Sequence, residues 1–216
     1  GYNTTENQNH FPRQRASCHP AAVRSRVVLV LDSPPRSPNL VPVSASSDSN
    51  VPRLQTPGAR FRAALAAERP LQIVGAVNAY AALLAQRAGF RALYLSGAGV
   101  SNASHGLPDL GTTTLEDVAM DARRITKRVD LPLLVDIDTG WDDPAAAVRA
   151  LAAVGVAAVH LEDQVPAKIC GHLPGKHLVP ATEMVARVRA AISARPDPGF
   201  AVIARTDAAA NEGVPA

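Results

Sequence analysis

The sequence predicts an α/β fold built on parallel strands, and two observations carry that expectation. From about residue 58 onward, short aliphatic runs alternate with longer helical patterns, the signature of βα units around a buried parallel sheet. Charged or small polar residues then gather at the carboxyl end of each run, in LPLLVD, AAVHLED, AVIARTD and ALYLSGAG. A (β/α)8 barrel brings such ends together at one mouth, and a doubly wound open sheet also places its site at strand ends. The chain lacks a phosphate-cradling glycine fingerprint, which argues against the dinucleotide-binding version of the open sheet.

In chain order, residues 1–57 predict no lasting helix or strand. They hold eight of the eighteen prolines and the polar tracts NTTENQN and SASSDSN, with too little apolar surface to offset the entropy of ordering. The expectation is a disordered or non-homologous leader. An organelle transit segment is the alternative, because 10–47 contains Arg and Ser and few acids. Residues 60–68 (RFRAALAAE) are strong helix formers. Strand is then expected over 71–77, helix over 79–88 and strand over 92–95. Thr113 and Glu116 stand at capping-box spacing before a helix over 114–129. After a strand over 131–135, Asp143 as N-cap and Pro144 in the first turn open a helix over 144–154. A strand over 156–161, a helix over 180–194 and a fifth strand over 200–204 complete the pattern.

Composition narrows the function classes. The net charge of +3 lies wholly in residues 1–57, with six Arg against three acids, whereas 58–216 balances sixteen basic against sixteen acidic residues. That distribution, without an aromatic-plus-Arg platform, argues against nucleic acid. The longest purely aliphatic run, residues 27–31, is far too short to span a membrane. Cys18 and Cys170 lie in unlike contexts and form no disulfide framework. A cytoplasmic protein is expected, or a mitochondrial one if the leader acts as a transit segment.

The strand ends carry the chemistry. Asp136 and Asp138 stand two apart on an extended segment, so their carboxylates share one side. Two like charges held together repel unless a cation intervenes. With Glu162 one strand over, the set suits a hard divalent ion such as Mg²⁺, which takes oxygen ligands and keeps waters or substrate oxygens. The alternative for each carboxylate is capping the following helix. Cys170 lies between Lys168 and His172 in a Gly/Pro loop, KICGHLPGK, after the Glu162 strand. Such an electropositive setting brings a thiol toward proton exchange near neutral pH, although most lone cysteines are inert small hydrophobes.

These residues resemble the isocitrate lyase/phosphoenolpyruvate mutase superfamily, and within it the lyases that cleave 2-methylisocitrate. The resemblance runs from about residue 58 to the end, through FRAALAAERPLQIVGAVNAYAALLAQRAGFRALYLSGAGV, GLPDLGTTTLEDV, RRIT, LPLLVDIDTGW, HLEDQVPAKICGHLPGK and ARTDA. It implies a (β/α)8 barrel, of which about five βα units are present here. It implies Mg²⁺ held by Asp136 and Asp138, with Glu162 lining the metal site. A small tricarboxylate substrate would meet a turn of Ser96, Gly97 and Ala98, together with Gly171, His172 and Arg205. Asp109 would organise the site and Cys170 would donate the catalytic proton; Tyr94 is read as the base or its relay, with a packed strand aromatic as the alternative. The implied reaction cleaves 2-methylisocitrate to pyruvate and succinate, as in the 2-methylcitrate cycle of propionate catabolism. Members of the superfamily are homo-oligomers that exchange a C-terminal helix, for which no counterpart is seen here.

Three departures qualify the resemblance. Ala98 replaces the second glycine of the usual SGG turn, tolerable where φ stays negative. The pattern stops after the fifth strand, so a lyase inactive through truncation, or a non-catalytic half-barrel, is the alternative to the active enzyme. Isocitrate, a dimethylmalate or a phosphonate remain alternative substrates. Ile169 replaces the basic residue that normally precedes the cysteine, removing a positive charge that would favour thiolate. Ile169→Arg, placed in a complete barrel, is expected to raise lyase turnover; an unchanged rate would show that the charge is immaterial.

Overall fold

The computed structural model describes residues 26–30, 55–168, 170, 175–209 and 213, the first five as a strand. In chain order the elements are β1 (Arg26–Val30), α1 (Pro57–Ala67), β2 (Ile73–Gly75), α2 (Ala79–Arg87), β3 (Ala92–Leu95), α3 (Gly97–His105), α4 (Leu115–Thr126), β4 (Leu133–Asp136), α5 (Pro144–Ala153), β5 (Ala158–Glu162), α6 (Ala181–Ser193) and β6 (Ala201–Thr206). The sheet order is β1-β6-β5-β4-β3-β2. Strands β2 to β6 are mutually parallel, each joined to the next through helix, and form part of a (β/α)8 barrel. No helix among the described residues is long and apolar enough to cross a membrane.

Local chemistry sets the helix starts. Thr56, Asn78 and Asp143 accept hydrogen bonds from the first-turn N–H groups of α1, α2 and α5, and Pro57 and Pro144 occupy first-turn positions where no intrahelical donor is needed. The capping box of α4 falls one residue later than its expected Thr113/Glu116 pair. Thr114 and Asp117 make it, with Thr114 N donating to Asp117 Oδ2 at 2.9 Å and Asp117 N donating to Thr114 Oγ1 at 3.2 Å. Asp fills the role as Glu would, because the shorter side chain still reaches back to the cap.

Two elements depart from expectation. Residues 26–30, within the segment expected to lack strand, pair antiparallel with β6, Arg26 opposite Thr206 and Val30 opposite Val202. RVVLV is rich in residues that fit a pleated surface, and the edge of β6 offers unpaired N–H and C=O groups that a strand satisfies. Residues 1–25 and 31–54 of the expected leader lie outside the described residues. The second departure is α3, where Gly97 and Ala98 were read as a turn. Ser96 caps the helix by accepting from Gly99 N at 3.3 Å, and Gly106 ends it in the left-handed region at φ 64°. Ala98 therefore needs no positive φ.

The sheet buries both faces. Leu93, Leu95, Leu133, Val135, Val159, Leu161 and Val202 point outward into the helical layer of Ala82, Val118, Ala122, Ile125, Val148 and Leu151. Ala92, Leu134, Ala158, Ala201 and Ile203 point to the inner face and pack on Phe61 of α1. Helix α1 thus closes the amino-terminal end of the inner face. Gly58 lies so close to β6 that an added Cβ would stand 2.3 Å from Phe200 N. Phe61, only 1% exposed, anchors the closure. Phe61→Ala is expected to cost about 3–5 kcal/mol, read as a lower urea midpoint with unchanged slope; a loss under 1 kcal/mol would mean α1 is not a structural plug.

Candidate active site

The period of two that places alanines and leucines on the inner face also places charge there. Beyond Ala92 on the same face of β3 comes Tyr94, and beyond Leu134 on β4 comes Asp136. Beyond Ala158 on β5 come His160 and Glu162, and beyond Ile203 on β6 comes Arg205. Register then sets Asp136 opposite His160 and Glu162 opposite Arg205. Each inner face is apolar at its amino-terminal half and ionisable at its carboxyl-terminal half. The charged halves meet at one end of the sheet.

After β4 the chain turns sharply, with left-handed φ at Asp138 (49°), Gly140 (87°) and Trp141 (52°). Asp138 and Trp141 hold this conformation at a cost of about 1 kcal/mol or more each. Asp138 N donates to Asp136 Oδ1 at 3.1 Å, and Trp141 Nε1 donates to the Thr113 carbonyl at 3.0 Å. The turn carries the Asp138 carboxylate toward Gly97, where an added Cβ would lie 3.4 Å from Oδ2. Asp136 and Asp138 thus face the same space, as their spacing predicts, although Asp138 is past the strand.

Cations of the protein answer this negative charge. Lys168 Nζ bridges Asp109 Oδ1 at 2.5 Å and Asp138 Oδ1 at 2.7 Å. Arg205 reaches Glu162 Oε2 at 3.1 Å and forks onto Asp207 through Nε at 3.1 Å and Nη2 at 3.0 Å. Gln164 Nε2 donates to Glu162 Oε1 at 2.7 Å. Tyr94 Oη donates to Asp136 Oδ2 at 3.1 Å, and His160 Nδ1 lies 3.3 Å from Asp136 Oδ1 without good hydrogen-bond geometry. Next to Glu162 in the chain, Asp163 accepts from Thr206 Oγ1 at 2.5 Å and from Asp207 N at 3.0 Å, tying the ends of β5 and β6.

The proton affinities follow from this arrangement. Burial, and then the charge of Asp136, push the Asp138 carboxyl up, with Lys168 only partly offsetting them. Burial also works to raise Asp136, but His160, the Asp138 N–H and Lys168 together outweigh it and hold Asp136 low. Glu162 is pushed up to about 7, chiefly by burial, with Arg205 opposing. Burial and Asp136 keep the Tyr94 phenol protonated well above the ordinary tyrosine range. Burial disfavours the Lys168 ammonium, and the carboxylates of Asp138 and Asp109 more than reverse that.

The expected site residues are largely brought together. Tyr94, Asp136, Asp138 and Asp109 join through direct contacts and Lys168, and Glu162 pairs with Arg205 beside them, close enough for the two groups to interact electrostatically. Ser96 has its hydroxyl engaged in capping α3, and Gly97 and Ala98 form the first turn of that helix. Cys170 is half-buried, two residues after Lys168. Gly171, His172 and Ile169 lie outside the described residues. His160, Gln164 and Lys168 were not among the expected site residues. The strand period, which puts 158, 160 and 162 on one face, could have found His160.

Among the described residues no three His, Cys, Asp or Glu side chains stand at metal-ligand spacing. The donor chemistry nevertheless suits a hard cation. Asp136 and Asp138 offer carboxylate oxygens only, and they face the same space. One or two carboxylates, with remaining positions left to oxygens of water or substrate, is the usual protein share of a Mg²⁺ site.

Residues 61–215 match the phosphoenolpyruvate phosphomutase family. The chain belongs to that family. It is 59% identical over 165 residues to 2-methylisocitrate lyase of Shewanella oneidensis, covering 75% of this chain and 56% of that one. Its fold matches the crystal structure of 2,3-dimethylmalate lyase, a PEP mutase/isocitrate lyase superfamily member, with a TM-score of 0.66 and 39% identity over 74% of this chain and 56% of that one. It also matches phosphonopyruvate hydrolase in complex with oxalate and Mg²⁺, at a TM-score of 0.58 and 31% identity, covering 68% of this chain and 51% of that one. The chain thus spans just over half the length of these relatives.

A carboxyl whose pKa is higher in the folded state favours folding at low pH and weakens it as pH rises between its two values. For Glu162, with an ordinary value of 4.5 and a folded value of about 7, stability should fall between roughly pH 4.5 and 7, by at most about 3 kcal/mol. Asp138 adds to this fall, whereas stability due to Asp136 is lost only below the ordinary carboxylate range. Urea titrations of wild type and Glu162→Gln at pH 5, 6 and 7.5 should show a flatter dependence in the variant. Parallel curves would mean Glu162 ionises as it does in the unfolded chain.

Proposed function

We propose that residues 58–216 carry the metal- and carboxylate-binding residues of a Mg²⁺-dependent carbon–carbon lyase, and that its substrate is 2-methylisocitrate, cleaved to pyruvate and succinate. The observation that carries this reading is the shared inner face of β3 to β6, where Tyr94, Asp136, Glu162 and Arg205 converge with Asp138 and Lys168. The 59% identity to a 2-methylisocitrate lyase supports the choice of substrate over 2,3-dimethylmalate, whose lyase is 39% identical. A small organic acid and a reduced cysteine suit the cytoplasm.

Asp136 and Asp138 would hold the ion, with Glu162 at its margin. When bound, Mg²⁺ supplies Lewis-acid polarisation of the hydroxy-acid end of the substrate. Arg205 and the N–H groups at the start of α3 balance substrate carboxylate charge, the helix end adding its partial positive charge. Tyr94, kept protonated, serves better as a hydrogen-bond donor that orients Asp136 and a substrate oxygen than as a base. Glu162, the inner-face carboxylate one strand over from the aspartate pair, takes the substrate hydroxyl proton. As that oxygen becomes a carbonyl, the adjacent C–C bond breaks and its electron pair passes to the enediolate of departing succinate. Cys170 then gives its thiol proton to the carbanion-like carbon.

Cys170→Ser should lower turnover about 10²- to 10⁴-fold with KM little changed, the size of a general-acid contribution. Pyruvate release from 2-methylisocitrate, with isocitrate and 2,3-dimethylmalate in parallel, is to be followed with Mg²⁺ and after chelation. Cleavage that persists without metal, full activity in Cys170→Ser, or no pyruvate from 2-methylisocitrate would sink this assignment.

A further inference from the structure

The opposite end of the sheet carries a second, unrelated feature. A cavity of about 550 Å³ opens between α1, the carboxyl end of α4 and the segments leading into β4 and β5. Leu131 and Gly155, which precede those strands, place it at their amino-terminal ends, away from Asp136 and Glu162. Arg60, Arg123 and Lys127 all line it, and no carboxylate does.

Arg123 and Lys127 have an ordinary explanation, since cations at the end of α4 answer its dipole. Arg60 does not. It sits in the opening turn region of α1, whose positive end, marked by Pro57, faces the same cavity, and that turn contains no acid. One guanidinium nitrogen, Nη1, donates to the Gln55 carbonyl at 2.8 Å, but Nε is buried with no hydrogen-bond partner. A buried N–H left unpaired is costly, because it has lost its water without gaining a partner. Among the described residues Arg60, Arg123 and Lys127 form no ion pair. The carboxyl ends of α4 and α5 offset part of the charge of Arg123 and Lys127, and Arg60 is left as the cation that an anion would complete.

We propose that this cavity is an anion site for a phosphoryl dianion, free or carried on a compact aliphatic body. Its apolar walls and the absence of an aromatic lining residue disfavour a nucleobase. The site is independent of the lyase reading and uses none of its residues.

The test is isothermal titration calorimetry of the full chain with inorganic phosphate and, separately, glycerol 3-phosphate, at ionic strength held constant with chloride. Saturable one-to-one binding is expected, and the tighter ligand tells the free from the esterified source. Arg60→Gln should weaken it about tenfold or more, the loss expected for one charge-assisted hydrogen bond. The double variant Arg123→Gln/Lys127→Gln, at exposed positions that leave the fold intact, should weaken it comparably. Arg87→Gln, at an exposed position that does not line the cavity, should leave it unchanged. Absence of saturable binding by both ligands, binding that survives the double variant, or binding lost through Arg87→Gln would each overturn the proposal.

Discussion

Like charge confined at the carboxyl end of a parallel sheet is the constraint on which the rest of this structure turns. Strand register brings Asp136 beside His160 and Glu162 beside Arg205, and the turn after β4 adds Asp138. All lie where burial penalises ionisation, so each carboxylate needs a donor or a cation within about 3 Å. Lys168 and Arg205 meet that need from different parts of the chain, and each bridges two carboxylates. The network thereby ties the 107–113 segment, the β4 turn and the stem of the Cys170 loop to one another. Burial, the largest cause in each case, still leaves Asp138 and Glu162 with raised proton affinities.

Most of this was legible before any coordinates. The five parallel strands and their helices follow from the period of the aliphatic runs, and the mouth from the residues that end them. What escaped did so for definable reasons. Helix α3 (GAGVSNASH) consists largely of Gly, Ser, Asn and His, which favour turns or caps over helix interiors; capping by Ser96 and burial of Val100 and Ser101 override that preference. Strand β1 is specified by pairing with β6 about 175 residues away, a separation that no local window senses. The partners of Lys168 and His160 depend on loop paths and register, so their residue types could be noted but not their contacts.

Tyr94 shows how environment selects among roles that residue type leaves open. A tyrosine at a strand end can act as base, relay or packed aromatic. Here its ring packs edge-on to His160, and its hydroxyl meets a carboxylate held ionised by its own donors. Every neighbour with a strong effect, apart from Arg205, raises the cost of phenolate. Phenolate is therefore the costly state, and the hydroxyl remains a hydrogen-bond donor to Asp136.

The two ends of the sheet also differ in how helix dipoles meet them. In βα units each helix begins near the carboxyl end of the preceding strand, so positive helix ends face the mouth and negative ends face the opposite side. Acidic residues at the mouth, and Arg123 or Lys127 at the far end, conform to that field. Helix α1 does not, because it crosses the amino-terminal ends of the strands to plug the inner face with Phe61, and so turns its own positive end toward the far side. The plug is thus what brings Arg60 and the Thr56-capped start of α1 into a region otherwise governed by helix carboxyl ends. A cationic concavity there is a consequence of closing the sheet at that end, and its electrostatics are independent of the carboxylates at the mouth.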